Sequence, residues 1–434
     1  MEAAALALRA ACEKKDWKVA LQLLEDLPPP GNPRLQRGVI DCCARARQWQ
    51  MALQVLLGIF AASSVPNVYS FSAAITACEK GSQWQFSVQL LSMMTSVRTA
   101  PNAFSFNSTI TACGKSEEWQ RALSLLAQMP AAGVEPDRIS INASISACEK
   151  SSQWQVAVWL LQQMTEDRLR PGHTTLNSTI SACEKAGEWQ MALSVFSQMQ
   201  GKTTEPDLVS FNALMSACEK GGEWQMALGL FSELLLYGMQ PDHITLNALL
   251  SACEKGYKWQ MALLLLQQMP GFGLDPDHIS FSAGISACEK GSAWQMALHL
   301  LSELPTAGLK PDEINCNASI SACEKAGEWQ MALHPFSEMP LVRCAPNQIS
   351  FNASISACEK GSEWPMALVL FSGLSVAGVE PSQRSFNASI SALENNGEWQ
   401  KAVHMLSEMP VANQISFNAG ISACERACER NAAV

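Results

Sequence analysis

Sixteen cysteines and six histidines are the residues of this 434-residue chain best suited to binding a metal or attacking a substrate. Their spacing argues against both. The cysteines form no Cys-x-x-Cys pair, and His173, His243, His278, His299, His334 and His404 make no ligand cluster, so no metal site is expected. Cys42-Cys43 and Cys424-x-x-x-Cys428 are too isolated to change this. Most of the thiols fall in one register instead. Cys43, Cys78, Cys113, Cys148, Cys183, Cys218, Cys253, Cys288, Cys323 and Cys358 are each 35 residues apart, the pattern of a small buried hydrophobe copied with its unit. No carboxylate cluster lies outside that unit, and the His-x-Glu…Cys-x-x-Cys signature of a deaminase is missing. The expectation is a protein without catalytic residues or cofactor.

The unit itself is marked by tryptophan. Trp49, Trp84, Trp119, Trp154, Trp189, Trp224, Trp259, Trp294, Trp329, Trp364 and Trp399 keep the same 35-residue interval, and Trp17 precedes them by 32. Between Leu208 and Asp242, Phe211, Met215 and Cys218 form one helical stripe, and Trp224, Ala227, Leu228 and Phe231 form a second. Ser210 is the expected N-cap of the first helix, Gly221-Gly222 its end, and Gly238 and Pro241 the end of the second. Helices of about 11 to 14 residues are about 16 to 21 Å long. One such hairpin cannot bury both stripes, but a stack of hairpins can. The fold class is therefore all-α, a right-handed superhelical solenoid of about twelve helix-turn-helix hairpins. Residues 1–32 read as a degenerate first repeat, with Pro28-Pro29-Pro30 in its linker; 33–413 as about eleven repeats; 414–434 as a partial repeat or cap. The unit beginning at Gln383 is four residues short. Pro335 should kink or break its helix, whereas Pro365 lies in a first turn and should be tolerated.

Composition narrows the function. A hydrophobic share of 48% excludes a mostly disordered chain, and no apolar run is long enough to span a bilayer. The net charge of −10 speaks against a broad basic nucleic-acid surface. The first residues are neither a signal peptide nor an Arg/Ser-rich transit peptide, which allows the chain to begin inside a longer parent. Six Asn-x-Ser/Thr sequons, such as Asn107-Ser108-Thr109, are copies of one helix segment and not expected glycan sites. Unpaired cysteines fit a reducing compartment.

Several features together narrow the family. These are the 35-residue period, the apolar-Asn start of the first helix, the Ala-Leu-x-Leu-Phe-x-x-Met second helix and the terminal Gly-x-x-Pro-Asp. Over roughly residues 33 to 426 the chain resembles the pentatricopeptide repeat family. Tetratricopeptide units differ in carrying Trp, Leu-Gly and Tyr in their first helix. The repeated Trp and the Cys-Glu-Lys are departures from the family pattern. The resemblance implies binding of single-stranded RNA, one base per repeat. Implied base readers are Ser72, Asn107, Asn142, Asn177, Asn212, Asn247, Ser282, Asn317, Asn352 and Asn387. Their implied partners at the repeat ends are Asn102, Asp137, Gly172, Asp207, Asp242, Asp277, Asp312, Asn347, Ser382 and Asn413. Asn–Asp resembles the family's uracil reader, Asn–Asn and Asn–Ser lean to cytosine, Ser–Asn to adenine and Ser–Asp to guanine. In order this gives 5′-A-U-N-U-U-U-G-Y-Y-Y-3′, a U/C-leaning target. Phe104, Ile139, Val209, Ile244, Ile279, Ile314 and Ile349 are the implied apolar wedges between bases, with Thr174 and Arg384 as poorer ones.

A lysine column completes the reading. Lys80, Lys115, Lys150, Lys185, Lys220, Lys255, Lys290, Lys325 and Lys360 recur near the end of the first helix and could follow a phosphate backbone. Alternatively each is a solvated side chain offset by its Glu neighbour. Family membership would add a monomeric state, a role in organellar RNA processing, stability or translation, and a mitochondrial or chloroplast location. A contrasting expectation is a protein-binding helical scaffold without RNA affinity, for which a charge of −10 favours basic partners.

Overall fold

In the computed structural model, residues 17–25, 33–61, 66–200, 204–409 and 414–432 are described. Every regular element among them is helical. The chain divides into two compact units, Met1–Ala217 and Cys218–Val434. Helix Trp17–Glu25 precedes the first unit's hairpins: Pro33–Arg45 with Trp49–Ala61, Val68–Lys80 with Trp84–Ser96, Ala103–Lys115 with Trp119–Gln128, Arg138–Lys150 with Trp154–Glu166, and His173–Ala186 with Trp189–Gln200. The second unit continues with His243–Lys255 and Trp259–Gln268, His278–Lys290 and Trp294–Thr306, Glu313–Ala326 and Trp329–Glu338, Gln348–Lys360 and Trp364–Val376, Gln383–Asn396 and Trp399–Glu408, and then Gln414–Ala432. Leu208–Gly221 and Trp224–Leu236 lie where the two units divide. Each unit is thus a stack of helical hairpins, as the periodicity requires.

Local chemistry sets each hairpin. The first helix opens on the last residue of the preceding repeat, which caps it. Asp137, Asp242 and Asp277 stand at extended φ/ψ and accept from the backbone N–H three residues on. Ser210 is therefore not the N-cap expected from sequence. Asp207 takes that role, accepting from Ser210 N at 2.8 Å, while the Ser210 hydroxyl accepts from Asp207 N at 3.3 Å, a reciprocal capping box. The turn to the second helix always carries a left-handed residue two before the tryptophan. It is glycine at 187, 222, 327 and 397 but Arg47, Ser82, Glu117, Ser152, Tyr257, Ser292 and Ser362 elsewhere. Pro335 breaks nothing: helix Trp329–Glu338 runs through it. Lying one turn before the helix end, it removes only the intrahelical bond that the Met331 carbonyl would accept. Pro365 is tolerated at the helix start, as expected.

Packing between hairpins uses two devices. Phenylalanines from a second helix meet those of the next first helix edge to face, as in Phe196–Phe211 (5.0 Å between ring centres) and Phe371–Phe386 (4.8 Å). The tryptophans from Trp49 to Trp364 in the 35-residue register are half-buried rather than central, and Trp399 is exposed. A Cβ added at Gly81, Gly256, Gly291 or Gly361 would run into the indole of Trp49, Trp224, Trp259 or Trp329. The cysteine column from Cys43 to Cys358 is buried. Burial pushes thiols such as Cys78 and Cys288 up to about 12, so they stay protonated and act as small apolar groups.

Two adjacent residues should therefore respond in opposite directions. Gly291→Ala forces a methyl against Trp259 and should destabilise the chain by about 1–3 kcal/mol. Ser292→Gly relieves a left-handed serine (φ 55°) and should stabilise it by about 0.5–1 kcal/mol. Urea titration followed by circular dichroism separates the two.

Candidate nucleic-acid interface

The apolar side chains expected to flank a base stand exposed on the first helices, whereas the Asn and Ser expected to read it are half-buried, and Ser72 and Asn107 are buried. The apolar residue at the second helical position is largely open to solvent in repeat after repeat. Phe104 is 56% exposed, Ile139 61%, Val209 58%, Ile244 62%, Ile279 61%, Ile314 64% and Ile349 60%. Tyr69, at 60% exposed, extends the column, with the Arg37 guanidinium 4.8 Å from its ring centre. Thr174 and Arg384 are exposed in the same slot. One such side chain on a surface is ordinary; a register of eight is not. Three residues further on, hence on the same helix face, stands the Asn or Ser of the reading column.

That Asn is held from two sides. The Asn177 amide donates to Asp207 Oδ1 at 3.1 Å and Oδ2 at 3.3 Å, while its carbonyl oxygen accepts from the Ser210 hydroxyl at 2.7 Å. Asn247 repeats this with Asp277 (3.4 Å to each oxygen) and Ser280 (2.7 Å). Asn352 donates to Ser382 Oγ at 3.2 Å and accepts from Ser385 at 2.6 Å. Asn107 donates to Asp137 at 3.3 Å, but its carbonyl oxygen is buried without a partner. A carboxylate accepts only, so the amide nitrogen must face it and the carbonyl oxygen must face the serine. The clamp fixes the amide's orientation and leaves one N–H and one lone pair unused.

The other expected pairs are built differently. Asn142, whose repeat ends in Gly172, accepts from Thr175 at 2.5 Å and donates to Thr174 at 3.4 Å. Ser282 donates to the His278 carbonyl (2.7 Å) or to Asn315 Oδ1 (2.9 Å) rather than to Asp312, which caps its own helix. The Ser72 hydroxyl and the Asn317 carbonyl oxygen are buried without partners. Their expected mates cap helices, Asn102 through Ser105 and Asn347 through Ser350, and the Asn347 amide also donates to Glu313. Asn387 accepts from Ser416 at 2.7 Å; Asn413 lies outside the described residues. Asn212 and Asp242 belong to different units, Asp242 capping its helix through Thr245. In the second unit Asn352 and Asn387 share a recess of about 430 Å3 walled by Ile349 and Arg384. The hydroxyl column from Ser140 to Ser416 was not anticipated as part of the site. Its signal was present in the sequence as Asp/Asn-x-x-Ser/Thr at most repeat starts, with Gly172, Asn315 and Ser382 as departures.

The lysines are mostly engaged, and with a different glutamate from the adjacent one. Lys115 binds Glu79 at 3.0 Å, Lys185 Glu149 at 3.3 Å, Lys255 Glu219 at 2.9 Å, Lys290 Glu254 at 2.9 Å, and Lys325 and Lys360 bind Glu289 and Glu324 at 3.1 Å. Each strut joins one hairpin to the next. The ladder is interrupted where a member is missing. Ala44 and Gly114 occupy the glutamate slots that Lys80 and Lys150 would use, and neither lysine has a carboxylate in ion-pair range among the described residues. At the other end Asn395 replaces the lysine that Glu359 would meet. Burial, aided by Glu324 and Glu394 and opposed by Lys360 and a Ser391 hydrogen bond, pushes Glu359 up to about 7. Charge follows the same polarity: residues 1–217 carry 18 basic and 18 acidic side chains, residues 218–434 carry 12 and 22.

Two pH limbs follow. For Asp137, Asp207 and Asp277 burial acts to raise the carboxyl, but hydrogen bonds from the capping Ser and the clamped Asn outweigh it and hold each below the ordinary 3.8. Their stabilisation is complete above that value and is lost as pH falls below it. Glu359 has the opposite sign. Stability declines as pH rises from the ordinary 4.5 through about 7, and Glu359→Gln should flatten this neutral limb in urea titrations at pH 5 to 8.

Comparison with known proteins agrees with this architecture. Residues 171–220 and 206–255 match the PPR repeat family, 124–186 and 299–360 the pentatricopeptide repeat domain, and 104–134, 244–274 and 384–413 the PPR repeat. No curated protein sequence matches. Among solved structures, the pentatricopeptide repeat protein PPR10 from maize is similar at 18% identity and a TM-score of 0.55, over 96% of this chain and 69% of that one. Yeast Rmd9p, solved with a 16-nt target RNA, aligns at 12% identity and a TM-score of 0.39, over 88% of each chain. With matches recurring from residue 104 to 413 and a hairpin stack under them, the chain belongs to the pentatricopeptide repeat family.

Proposed function

We propose that this chain binds single-stranded RNA along its first-helix faces, one base per repeat, and acts without catalysis by covering or remodelling the strand. The observation that carries the reading is the exposed apolar residue three positions before an amide clamped from both sides, as at Ile244 with Asn247 and Ile349 with Asn352. A flat base fits between two such apolar side chains. Stacking on aromatic platforms contributes about 1–3 kcal/mol per base, and aliphatic walls give less. The amide's remaining N–H and lone pair match a pyrimidine edge. A neighbouring carboxylate favours a base that donates, so Asn–Asp pairs select uracil through its N3–H. Where the neighbour is Asn or Ser that bias is gone and cytosine becomes acceptable. Membership of the family supports the same conclusion and favours an organellar setting.

Phosphate binding is assigned unevenly. A phosphate reaching Lys290 must displace Glu254, whereas Lys80 and Lys150 have no ion pair to break. The N-terminal repeats are thus the electrostatic foothold, and the acidic second unit reads bases with less help from charge.

A randomised RNA pool selected at two salt concentrations tests the proposal. Enrichment of a U/C-rich single strand that weakens with salt is expected. The triple variant Asp137→Asn, Asp207→Asn, Asp277→Asn keeps cap-competent side chains and should fold normally, shifting the enriched base from uracil towards cytosine at the positions those repeats read. An unchanged preference in the folded variant, or no enrichment from the wild type, would falsify base reading. Lys80→Ala and Lys150→Ala should each lower the salt slope by about 0.7, and Lys290→Ala should leave it unchanged.

A further inference from the structure

The exposed apolar column changes character at its N-terminal end. Tyr69 and Phe104 are consecutive members and both aromatic; the slots that follow hold Ile139, Thr174 and Val209, and no aromatic comes after them. A base lying between Tyr69 and Phe104 meets an aromatic ring on each face, which favours the larger surface of a purine. The residue at that gap agrees. Ser72 has a shorter side chain than the Asn of most units, and its hydroxyl is buried without a hydrogen-bond partner, so a donor and an acceptor remain to be used. The other serine of the column, Ser282, is already engaged with His278 or Asn315.

One hairpin earlier the series of base gaps stops. Arg37 stands 35 residues before Ser72, in the equivalent slot. Its guanidinium lies 4.8 Å from the centre of the Tyr69 ring. Helices Pro33–Arg45 and Ala103–Lys115 pack on opposite sides of Val68–Lys80 in the stack, so Arg37 covers the ring face turned away from Phe104 and closes the column. Charge gathers at the same place. Residues 33–48 contain four arginines and one carboxylate, Asp41. Arg37 lies one turn before Asp41, its Nε 3.6 Å from Oδ2, and Arg45 one turn after. Burial raises the Asp41 carboxyl above the ordinary 3.8 against the opposing pull of Arg37, Arg45 and Lys80. Three cations from two neighbouring first helices thus surround one carboxylate, and Lys80 has no glutamate strut, since Ala44 stands in that slot. An internal phosphodiester brings a single negative charge there, whereas a terminal phosphomonoester brings about 1.5 to 2 at neutral pH and offsets the surplus better.

We propose that these hairpins form an end-binding site for RNA, which takes the terminal purine nucleotide of a strand with its base between Tyr69 and Phe104 and its terminal phosphomonoester on Arg37 and Lys80. The ion pair to Asp41 uses the Arg37 Nε and leaves its two terminal nitrogens to fork onto the phosphate. The proposal rests on the RNA-binding reading and adds that the strand is held by one end. The ligand is then the product of a cleavage that leaves a phosphate, and binding shields that phosphate.

The test is competition binding to the full chain by unlabelled ten-nucleotide strands, U/C-rich with adenine at both ends, carrying a 5′-phosphate, a 3′-phosphate or hydroxyls only. One of the two phosphorylated strands should bind about tenfold more tightly than the hydroxyl strand, as for an added charge-assisted hydrogen bond, and which one it is gives the direction of the strand. Arg37→Gln, at an exposed position and checked for folding by circular dichroism, should remove the preference, and Lys80→Ala should reduce it. Uracil in place of the terminal adenines should weaken the preferred strand with the wild type and less so with Tyr69→Ala. Equal affinity for phosphate and hydroxyl ends, an equal gain from either phosphate, or a preference that survives in folded Arg37→Gln overturns the end site and leaves base reading standing. Failure of every strand to bind overturns base reading and this inference with it.

Discussion

A single hairpin of this chain leaves two apolar stripes uncovered, and the remaining features of the structure follow from covering them with the next hairpin. Phe196 against Phe211, Phe371 against Phe386 and the half-buried indoles against the glycines of the following helix are all contacts between consecutive repeats. Stability of such an array is a sum of neighbour terms. A residue that fails at one interface is therefore felt locally, and neighbouring repeats can compensate. That tolerance lets Cys316, Pro335 and Gly114 persist within a pattern otherwise copied closely.

Much of the fold was legible in the sequence because a 35-residue period fixes the helices together with their stacking partners. The reading column was legible as residue types, since Asn and Asp recur at constant spacing. Its geometry was not. The Ser210 hydroxyl looked like a cap and proves to be the hinge between a cap and the amide of the previous repeat, a relation across 33 residues that no local pattern displays. The glutamate partner of each lysine escaped the sequence for a related reason. Glu79 and Lys80 are adjacent in sequence, yet a helix turns neighbouring side chains apart, and the glutamate instead reaches Lys115 of the next hairpin. Pro335 was misjudged because a proline's cost depends on how much helix follows it.

The ion-pair ladder gives the surface a direction that composition conceals. A net charge of −10 suggests a uniformly acidic body. Lys80 at the start of the column and Lys150 have no carboxylate in ion-pair range among the described residues, and Glu359 near its end has Asn395 in place of a lysine, with salt-bridged pairs between them. Individually such struts contribute little, about 0–1 kcal/mol each. Collectively they occupy most of the lysines, leaving few free for an anionic ligand.

At the repeat junctions Asp137, Asp207 and Asp277 each cap the following helix and hold the preceding amide, Asp137 and Asp207 using the same oxygen for both. Any residue placed there must first start a helix. The side chains found at these junctions, Asp, Asn, Ser and once Gly, are those that favour helix starts. The alphabet of the proposed reader is thus limited by folding before any ligand arrives. A repeat array of this design can drift among a handful of letters without unravelling, but it cannot acquire a letter that the helix will not accept as its beginning.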